Sequence, residues 1–336
     1  GMLEGSKPVL LKKNQKVLLT QAGVAGNDRI VAFDYQGPLK DIPKGCSVYI
    51  DDGNIALTVT GHEKKALRTT VTVGGLLRQQ KGVNIPGARL KFGPISKKDV
   101  ADIRFSARQK LDYVAQSFVR SAADVRAAKE IIAAAGSRIP VIAKIEKFEA
   151  LDNIDGIIAE AGGIMVARGD LGVEIPLEKV PRAQKMIIAK TNLAGKPVIT
   201  ATQMLRSMVD NPRPTRAEVT DVANAILDGT DAIMLSEDTA MGSYPVEAVR
   251  VMARVAAETE QVFDYEGWTL KFKSEITMSF EAAVALSAVE MEQAIDAAAI
   301  ISYTLSGSTT RLVARHRPRQ QLLPMTSNRQ TAREMA

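Results

Sequence analysis

Apolar and polar positions over the first 88 residues alternate in short runs. Segments such as VLLT, RIVAF, SVYID, IALTVTG and LRTTVTV are rich in β-branched residues, and Gly, Asn-Asp and Asp-Gly turn signals separate them. No strong helical period interrupts the pattern. It predicts an all-β domain over residues 9–88, a small barrel or sandwich.

The period then changes. Ser96-Lys97-Lys98-Asp99 sets a hydroxyl three residues before an acid, the signature of a capping box, and VADIRFSARQ after it reads as helix. Short apolar strands alternate with helices from there on. LDYVAQSFV, IPVIAKIE, GGIMVARGD, KPVITATQ and DAIMLSED read as strands. AADVRAAKEIIAAAG, ALDNIDGIIAEA, LEKVPRAQKMIIAKTNLAG and TRAEVTDVANAILDG read as helices, with Gly136 and Gly195 as stops. Such alternation predicts a parallel sheet covered by helices, either an open doubly wound sheet or a (β/α)8 barrel. A further α/β unit begins near Phe263, with a helix at MSFEAAVALSAVEMEQA, strands at AAAIISYT and QQLLPMTSN, and LSGSTTRLVARHRP as loop plus helix between them.

Composition narrows the classes. A length of 336 residues exceeds one ordinary domain, and 46% hydrophobic with 24% charged residues is a globular balance. The single cysteine, Cys46, excludes a disulfide framework and a cysteine-based metal site, and suits a reducing cytoplasm. No apolar run reaches the ~18–20 residues of a membrane helix, so no membrane partner is expected. The formal charge of +6 is modest, and no basic run is interleaved with aromatics. Nucleic acid is therefore not expected; anionic small substrates are.

The chemistry collects at the C-terminal ends of four successive strands, the rim on which β/α barrels carry their active sites. Strand alternation sets Lys144 and Glu146 on one face, ~6.6 Å apart. The same alternation groups Val166, Arg168 and Asp170, and groups Thr200 with Thr202; Ser236, Glu237 and Asp238 close the fourth strand. Glu146 and Asp170 are hard oxygen donors suited to magnesium, and Lys144 is a compact cation able to neutralise a phosphoryl group. Gly169 lets a backbone approach a ligand and precedes a helix. With His62 and His316 the only histidines and neither near this rim, Thr202 and Ser236 are left as proton-relay hydroxyls. Taken singly, each has a plain structural reading: an ion pair for Lys144–Glu146, a rim salt bridge for Arg168–Asp170, a satisfied strand hydroxyl for Thr202. Their coincidence on one rim is what points to a site. Thr304, Ser306, Gly307, Ser308 and Thr309 open the helix after AAAIISY; they read as an anion nest or, equally, as Ser/Thr N-capping of a plain turn.

These residues carry a family resemblance. IPVIAKIEKFEAL, IMVARGDLGVEIP, KPVITATQMLRSM and NPRPTRAEVTDVANAILDGTDAIMLSEDTAMGSYPVEAV resemble pyruvate kinase in order and spacing, as do YIDDGNI, KGVNIPGA and TLSGSTTRLVARHRPRQQLLPMTSNRQTAR. The resemblance covers essentially the whole chain. It implies an α/β fold: a (β/α)8 TIM barrel, incomplete here with about five strands, an inserted all-β lid, and a partial α/β C-terminal domain. The domains expected are residues 1–8 as the end of the barrel strand before the lid, 9–88 the lid, 89–264 barrel strands four to eight, and 265–336 the partial regulatory domain.

The implied reaction transfers phosphoryl from phosphoenolpyruvate to ADP, giving pyruvate and ATP, the last step of glycolysis. Lys144, Thr202 and Ser236 match the catalytic positions, and Glu146 and Asp170 the ligands of Mg2+ or Mn2+. Ala167, Arg168, Gly169, Asp170 and Thr202 match substrate contacts, with the backbone around Gly169 as carboxylate cradle. Asp51 and Asp52 match the lid acids, and Thr304 to Thr309 the loop that holds an effector phosphate. The family also uses K+, whose ligands this chain lacks, and forms cytoplasmic homotetramers. Relative to the family the sequence looks truncated at both ends. That leaves an alternative: a catalytically inert fragment or paralogue that binds phosphate ligands or partners.

Overall fold

The computed structural model describes residues 1–335 except 36, 52, 89–92, 94 and 276–278. It divides into two compact units: residues 1–94 with 146–148 and 169–180, and residues 95–145, 149–168 and 181–336.

In the first unit the strands are β1 (Val9–Leu11), β2 (Lys16–Thr20), β3 (Ile30–Ala32), β4 (Ser47–Ile50), β5 (Ile55–Glu63), β6 (Ala66–Val73), β7 (Gly75–Leu77) and β8 (Val83–Asn84). Six form one sheet in the order β3-β2-β6-β5-β4-β8, and β1 pairs antiparallel with β7. Pairing within the large sheet is antiparallel except between β2 and β3. One face is apolar, as the alternation requires: Val17, Leu19, Val48, Ile50, Leu57, Val59, Leu67 and Val71 are buried in one cluster. Helical structure among the described residues 1–94 is confined to single 3-10 turns at Glu4–Ser6 and Leu39–Asp41.

The elements after residue 94 are α1 (Lys97–Arg108), β9 (Val114–Gln116), α2 (Ala122–Ala134), β10 (Val141–Ile145), α3 (Phe148–Asp152), α4 (Ile154–Glu160), β11 (Gly163–Ala167), α5 (Arg168–Glu174), α6 (Val180–Leu193), β12 (Val198–Ala201), α7 (Arg216–Leu227), β13 (Ala232–Met234), α8 (Glu237–Ala240), α9 (Pro245–Glu260), α10 (Tyr265–Glu275), α11 (Phe280–Ile295), β14 (Ala299–Tyr303), α12 (Ser308–Ala314), β15 (Gln321–Met325) and α13 (Arg329–Met335). Strands β9 to β13 form a parallel sheet in strict chain order. A doubly wound sheet must reverse its order at a switch point; this one never does, which is the winding of a barrel wall. Its five strands are the five read from the sequence. Val141, Ala143, Ile145, Ile164, Val166 and Val198 pack against Val125, Ala128, Ile132, Ile157 and Ile187 of the covering helices. Strands β14 and β15 form a separate parallel pair.

Local chemistry explains most boundaries. Ser96 accepts from the Asp99 amide at 3.1 Å while the Ser96 amide donates to Asp99 at 2.8 Å, the expected capping box. Thr215 and Glu218 build the same device ahead of α7. Gly136 and Gly195 follow α2 and α6 with φ of 71° and 64°, the left-handed stop that glycine adopts without a Cβ clash.

Several readings change, among them DAIMLSED, which is strand only over Ala232–Met234, with Ser236 in the N-cap position and Glu237 and Asp238 inside α8. LDYVAQSFV is only the three-residue β9, since Phe118 turns left-handed with φ of 56°. ALDNIDGIIAEA splits at Asn153 into α3 and α4. In GGIMVARGD the strand stops at Ala167, where its ladder to Ala201 ends, and Arg168, Gly169 and Asp170 enter α5; the helix gives their backbone groups partners the ladder no longer supplies. Helices α9, α10 and α13 were not among the elements read from the sequence.

Candidate functional site

Strand β10 delivers Lys144 and Glu146. Lys144 lies opposite Met165 of β11 and donates from Nζ to Ser117 Oγ, 3.1 Å away, just past the end of β9. Glu146, the first residue beyond β10, is 1% exposed. A carboxylate so deeply buried must be offset by positive charge or several donors. The next residue, Lys147, donates from Nζ to Glu174 Oε1 at 2.6 Å, tying the segment after β10 to the end of α5.

Arg168, Gly169 and Asp170 form the first turn of α5, with Asp170 partly buried. Strand alternation therefore does not set which residues share a face here, contrary to the expected grouping of Val166, Arg168 and Asp170. An acid in the first turn is favoured by the helix dipole. Ala167 is fully buried at the strand end. Glu146 and Asp170 offer two carboxylates and no softer donor, a set that suits Mg2+ or Mn2+ with oxygens from elsewhere completing the shell. Among the described residues no group of three or more His, Cys, Asp or Glu is placed to hold a metal ion by itself.

The β12 end is strained. Thr202 and Gln203 have φ of 72° and 55°. A β-branched residue in this region is a rare conformation, and such strain concentrates at functional sites. The expected pairing of Thr200 with Thr202 on one face does not hold: Thr200 is fully buried and donates to Thr230 Oγ1 at 2.9 Å, while Thr202 has left the strand. Thr202 Oγ1 donates to the Ala201 carbonyl at 2.6 Å. After β13, the Ser236 amide donates to Asp238 Oδ2 at 3.0 Å at the start of α8, and Glu237 pairs with Arg206 at 2.8 Å.

Asp51 sits with φ of 55° in the turn between β4 and β5, 2.7 Å from Lys81 Nζ. Asp52 lies outside the described residues. In the loop before α12, the Gly307 amide donates to Thr304 Oγ1 at 3.0 Å, and Ser306 donates to Ser308 Oγ at 3.1 Å. The Gly307 amide therefore turns inward, and a Cβ at Gly307 would stand 3.1 Å from Met335 Sδ. Thr309 follows in the first turn of α12.

Ser117, Gln184 and Asp221 were missed from the sequence. Ser117 stands one strand earlier in the same position at a strand end, a signal that was readable. Gln184 and Asp221 contact Arg168 from positions 16 and 53 residues away, and nothing local announces that.

Comparison with known proteins bears on this rim. The family model described as "Pyruvate kinase, barrel domain" matches residues 1–249, and that described as "Pyruvate kinase, alpha/beta domain" matches residues 282–336. A pyruvate kinase of Geobacillus stearothermophilus is 46% identical over 329 residues, 97% of this chain and 56% of the relative. One of Eimeria tenella is 44% identical over 340 residues, 100% of this chain and 64% of the relative. A crystal structure of a pyruvate kinase from Cryptosporidium parvum superposes with a TM-score of 0.92 at 41% identity, covering 100% of this chain and 70% of that one. The chain thus spans 56% and 64% of the length of these two curated relatives.

Proposed function

The chain belongs to the pyruvate kinase family, and on that premise we propose that it transfers a phosphoryl group from phosphoenolpyruvate to ADP. The P–O bond to the enol oxygen breaks, a new P–O bond forms to the terminal phosphate of ADP, and the released enolate takes a proton at carbon to become pyruvate. The single observation that supports this is Lys144, held by Ser117 at the end of the parallel sheet, two residues before a nearly inaccessible Glu146 in the chain.

Each residue then has a task. Lys144 neutralises charge on the phosphoryl oxygens as transfer proceeds, an interaction strongest in the transition state. Ala167, Arg168 and Gly169 offer backbone to the substrate carboxylate, with Asp170 and Thr202 as further contacts. Thr202 and Ser236 supply hydroxyls that hold or pass the proton bound for the enolate carbon. Asp51 belongs to the nucleotide side of the reaction, with Asp52 in the same role. Glu146 and Asp170 would hold the divalent cation, Mg2+ or Mn2+. When bound, it supplies positive charge that polarises the phosphoryl and carboxylate oxygens. The family also implies K+, for which no residue of this chain is assigned. The Thr304–Thr309 loop is proposed to take an effector phosphate. The same reading makes the protein a cytoplasmic homo-oligomer, with neither nucleic acid nor membrane as a partner. No helix among the described residues is long and apolar enough to cross a membrane.

A coupled assay of the purified chain with phosphoenolpyruvate, ADP and Mg2+ tests the proposal, with steady pyruvate formation expected. Binding of phosphoenolpyruvate without turnover would instead support the inert, ligand-binding alternative. Neither binding nor turnover would defeat both.

A further inference from the structure

The backbone of Arg168 is part of the proposed carboxylate cradle, but its side chain points to other work. The Arg168 side chain is 9% exposed. Nη2 donates to the Thr202 carbonyl at 2.9 Å and lies 3.5 Å from the Gln203 carbonyl and 2.8 Å from Met204 Sδ. Nη1 donates to Asp221 Oδ1 at 2.8 Å and lies 3.4 Å from Gln184 Oε1. Gln184 in turn donates to Asp228 Oδ2 at 3.0 Å, and Asp228 is paired with Lys185. The planar fork is fixed on one side by this polar network from α6 and α7, and its other side takes two consecutive carbonyls.

Those two carbonyls belong to the residues that have left ordinary backbone space, Thr202 and Gln203 with φ of 72° and 55°. Neither is a glycine, and Thr202 carries a branched Cβ, which resists this region. Such a conformation persists only where the surroundings over-determine it. Without a clamp, the two residues would relax toward ordinary negative φ and carry the Thr202 hydroxyl away from its present position. Asp221 matches the guanidinium's charge, so Arg168 is not offering a cation to an anionic substrate.

We infer that Arg168 is a positioning residue: its guanidinium clamps the Thr202 and Gln203 carbonyls and thereby fixes the Thr202 hydroxyl for the proton step. The clamp stands on geometry alone; the meaning given to the hydroxyl rests on the proposed phosphoryl-transfer reading.

The test uses Arg168→Lys, Arg168→Gln, Thr202→Ala and the Arg168→Gln/Thr202→Ala double variant of the full chain. Two readouts are taken: steady-state kinetics, and NMR of threonine-labelled protein without substrate. Both Arg168 variants should lower kcat by about 10²-fold, the scale of a misplacement near 1 Å, while KM for phosphoenolpyruvate changes by less than about threefold. A lysine cannot reach two carbonyls and Asp221 together, so it should not rescue. In the Thr202→Ala background, Arg168→Gln should cost less than about threefold more, because both changes act through one hydroxyl. The Thr202 Cα and Cβ shifts should move toward extended values in both Arg168 variants, with those of Thr200 unchanged.

Full activity in Arg168→Lys, or full additivity in the double variant, would overturn the inference. If the parent chain shows no turnover, the functional reading fails by itself and NMR still decides the clamp: Thr202 shifts identical to the parent in Arg168→Lys would refute it. Should Arg168→Gln fail to fold, Arg168→Lys, which keeps charge and length, carries both readouts.

Discussion

Two parallel strand arrays lie in residues 95–336, and the central strand of one is buried where both strands of the other stand largely open. In the five-stranded sheet, β11 is buried along its whole length. In the β14–β15 pair, Ile301, Tyr303, Leu323 and Met325 are 66, 67, 44 and 55% exposed. Each array also ends a strand in a hydroxyl-bearing turn. After β12 the left-handed position falls on Thr202 and is clamped by Arg168; after β14 it falls on Gly307, whose amide closes onto Thr304. Hydroxyls after an apolar strand thus mark stored strain in one array and a relaxed cap in the other. A bond from a distant side chain, not the local composition, separates the two.

The sharpest way to break this contrast is to remove the cation at the end of β10. Lys144→Met should lower kcat by about 10³-fold, or about 4 kcal/mol of transition-state stabilisation, with substrate binding little changed. Steady-state kinetics beside direct phosphoenolpyruvate titration measures both, and a loss below about tenfold would remove Lys144 from the chemistry.

Core truncation compares the strands themselves. Ile164 is inaccessible, and Ile164→Ala should cost about 3–4 kcal/mol, whereas Ile301→Ala should cost less than about 0.5 kcal/mol. Denaturant midpoints of the two variants settle this; equal losses would mean that the β14 face is covered in solution.

A third test lies just beyond α12. His316 is 1% exposed, and burial, helped by Arg315 beside it, lowers its pKa from 6.5 to about 4. The unfolded chain binds a proton there below about pH 6.5, and the folded chain does not until about pH 4. Stability should therefore fall as pH drops through that window, by about 3 kcal/mol in all, with no penalty above it. His316→Gln should remove that part of the slope, measured as unfolding free energy against pH; an unchanged slope would mean that His316 titrates normally.

The smallest effects should have opposite signs. Thr202→Gly relieves about 1–2 kcal/mol of left-handed strain against about 0.5–1 kcal/mol of lost backbone order, a net gain of about 0.5–1 kcal/mol accompanied by lower activity. Gly307→Ala should lose about 1–2 kcal/mol, since its φ is 81° and Met335 stands close. Thermal unfolding of the pair reads both, and losses at both positions would show that Thr202 is not strained.

Local chemistry made much of the fold legible. The hydroxyl-acid pair at Ser96 and Asp99, the stops at Gly136 and Gly195, and the apolar cores of β10, β11 and β12 all act within a few residues of their own position. Reading failed where the deciding partner is remote. Asp170 looked like strand because nothing in Arg168-Gly169-Asp170 says that the ladder to β12 ends at Ala167. Thr202 looked like strand because threonine favours strands, and its turn depends on a guanidinium 34 residues earlier. Helix α13 is short and polar, but it docks through Arg333 on Asp112 and the Glu334 carbonyl on the Tyr113 hydroxyl, contacts that span 221 residues. The residue types of the rim were visible; the geometry that relates them was not.

The strict chain order of β9 to β13 has a consequence for how this region comes into being. Each of β10 to β13 bonds to a strand already synthesised, and helices lie between successive strands of the sheet. A chain leaving the ribosome can therefore add one strand-helix step at a time, each of β10 to β13 meeting its earlier neighbour as it is made. Contacts close in sequence also close quickly, so this wall should grow outward from its first pair rather than assemble from scattered pieces.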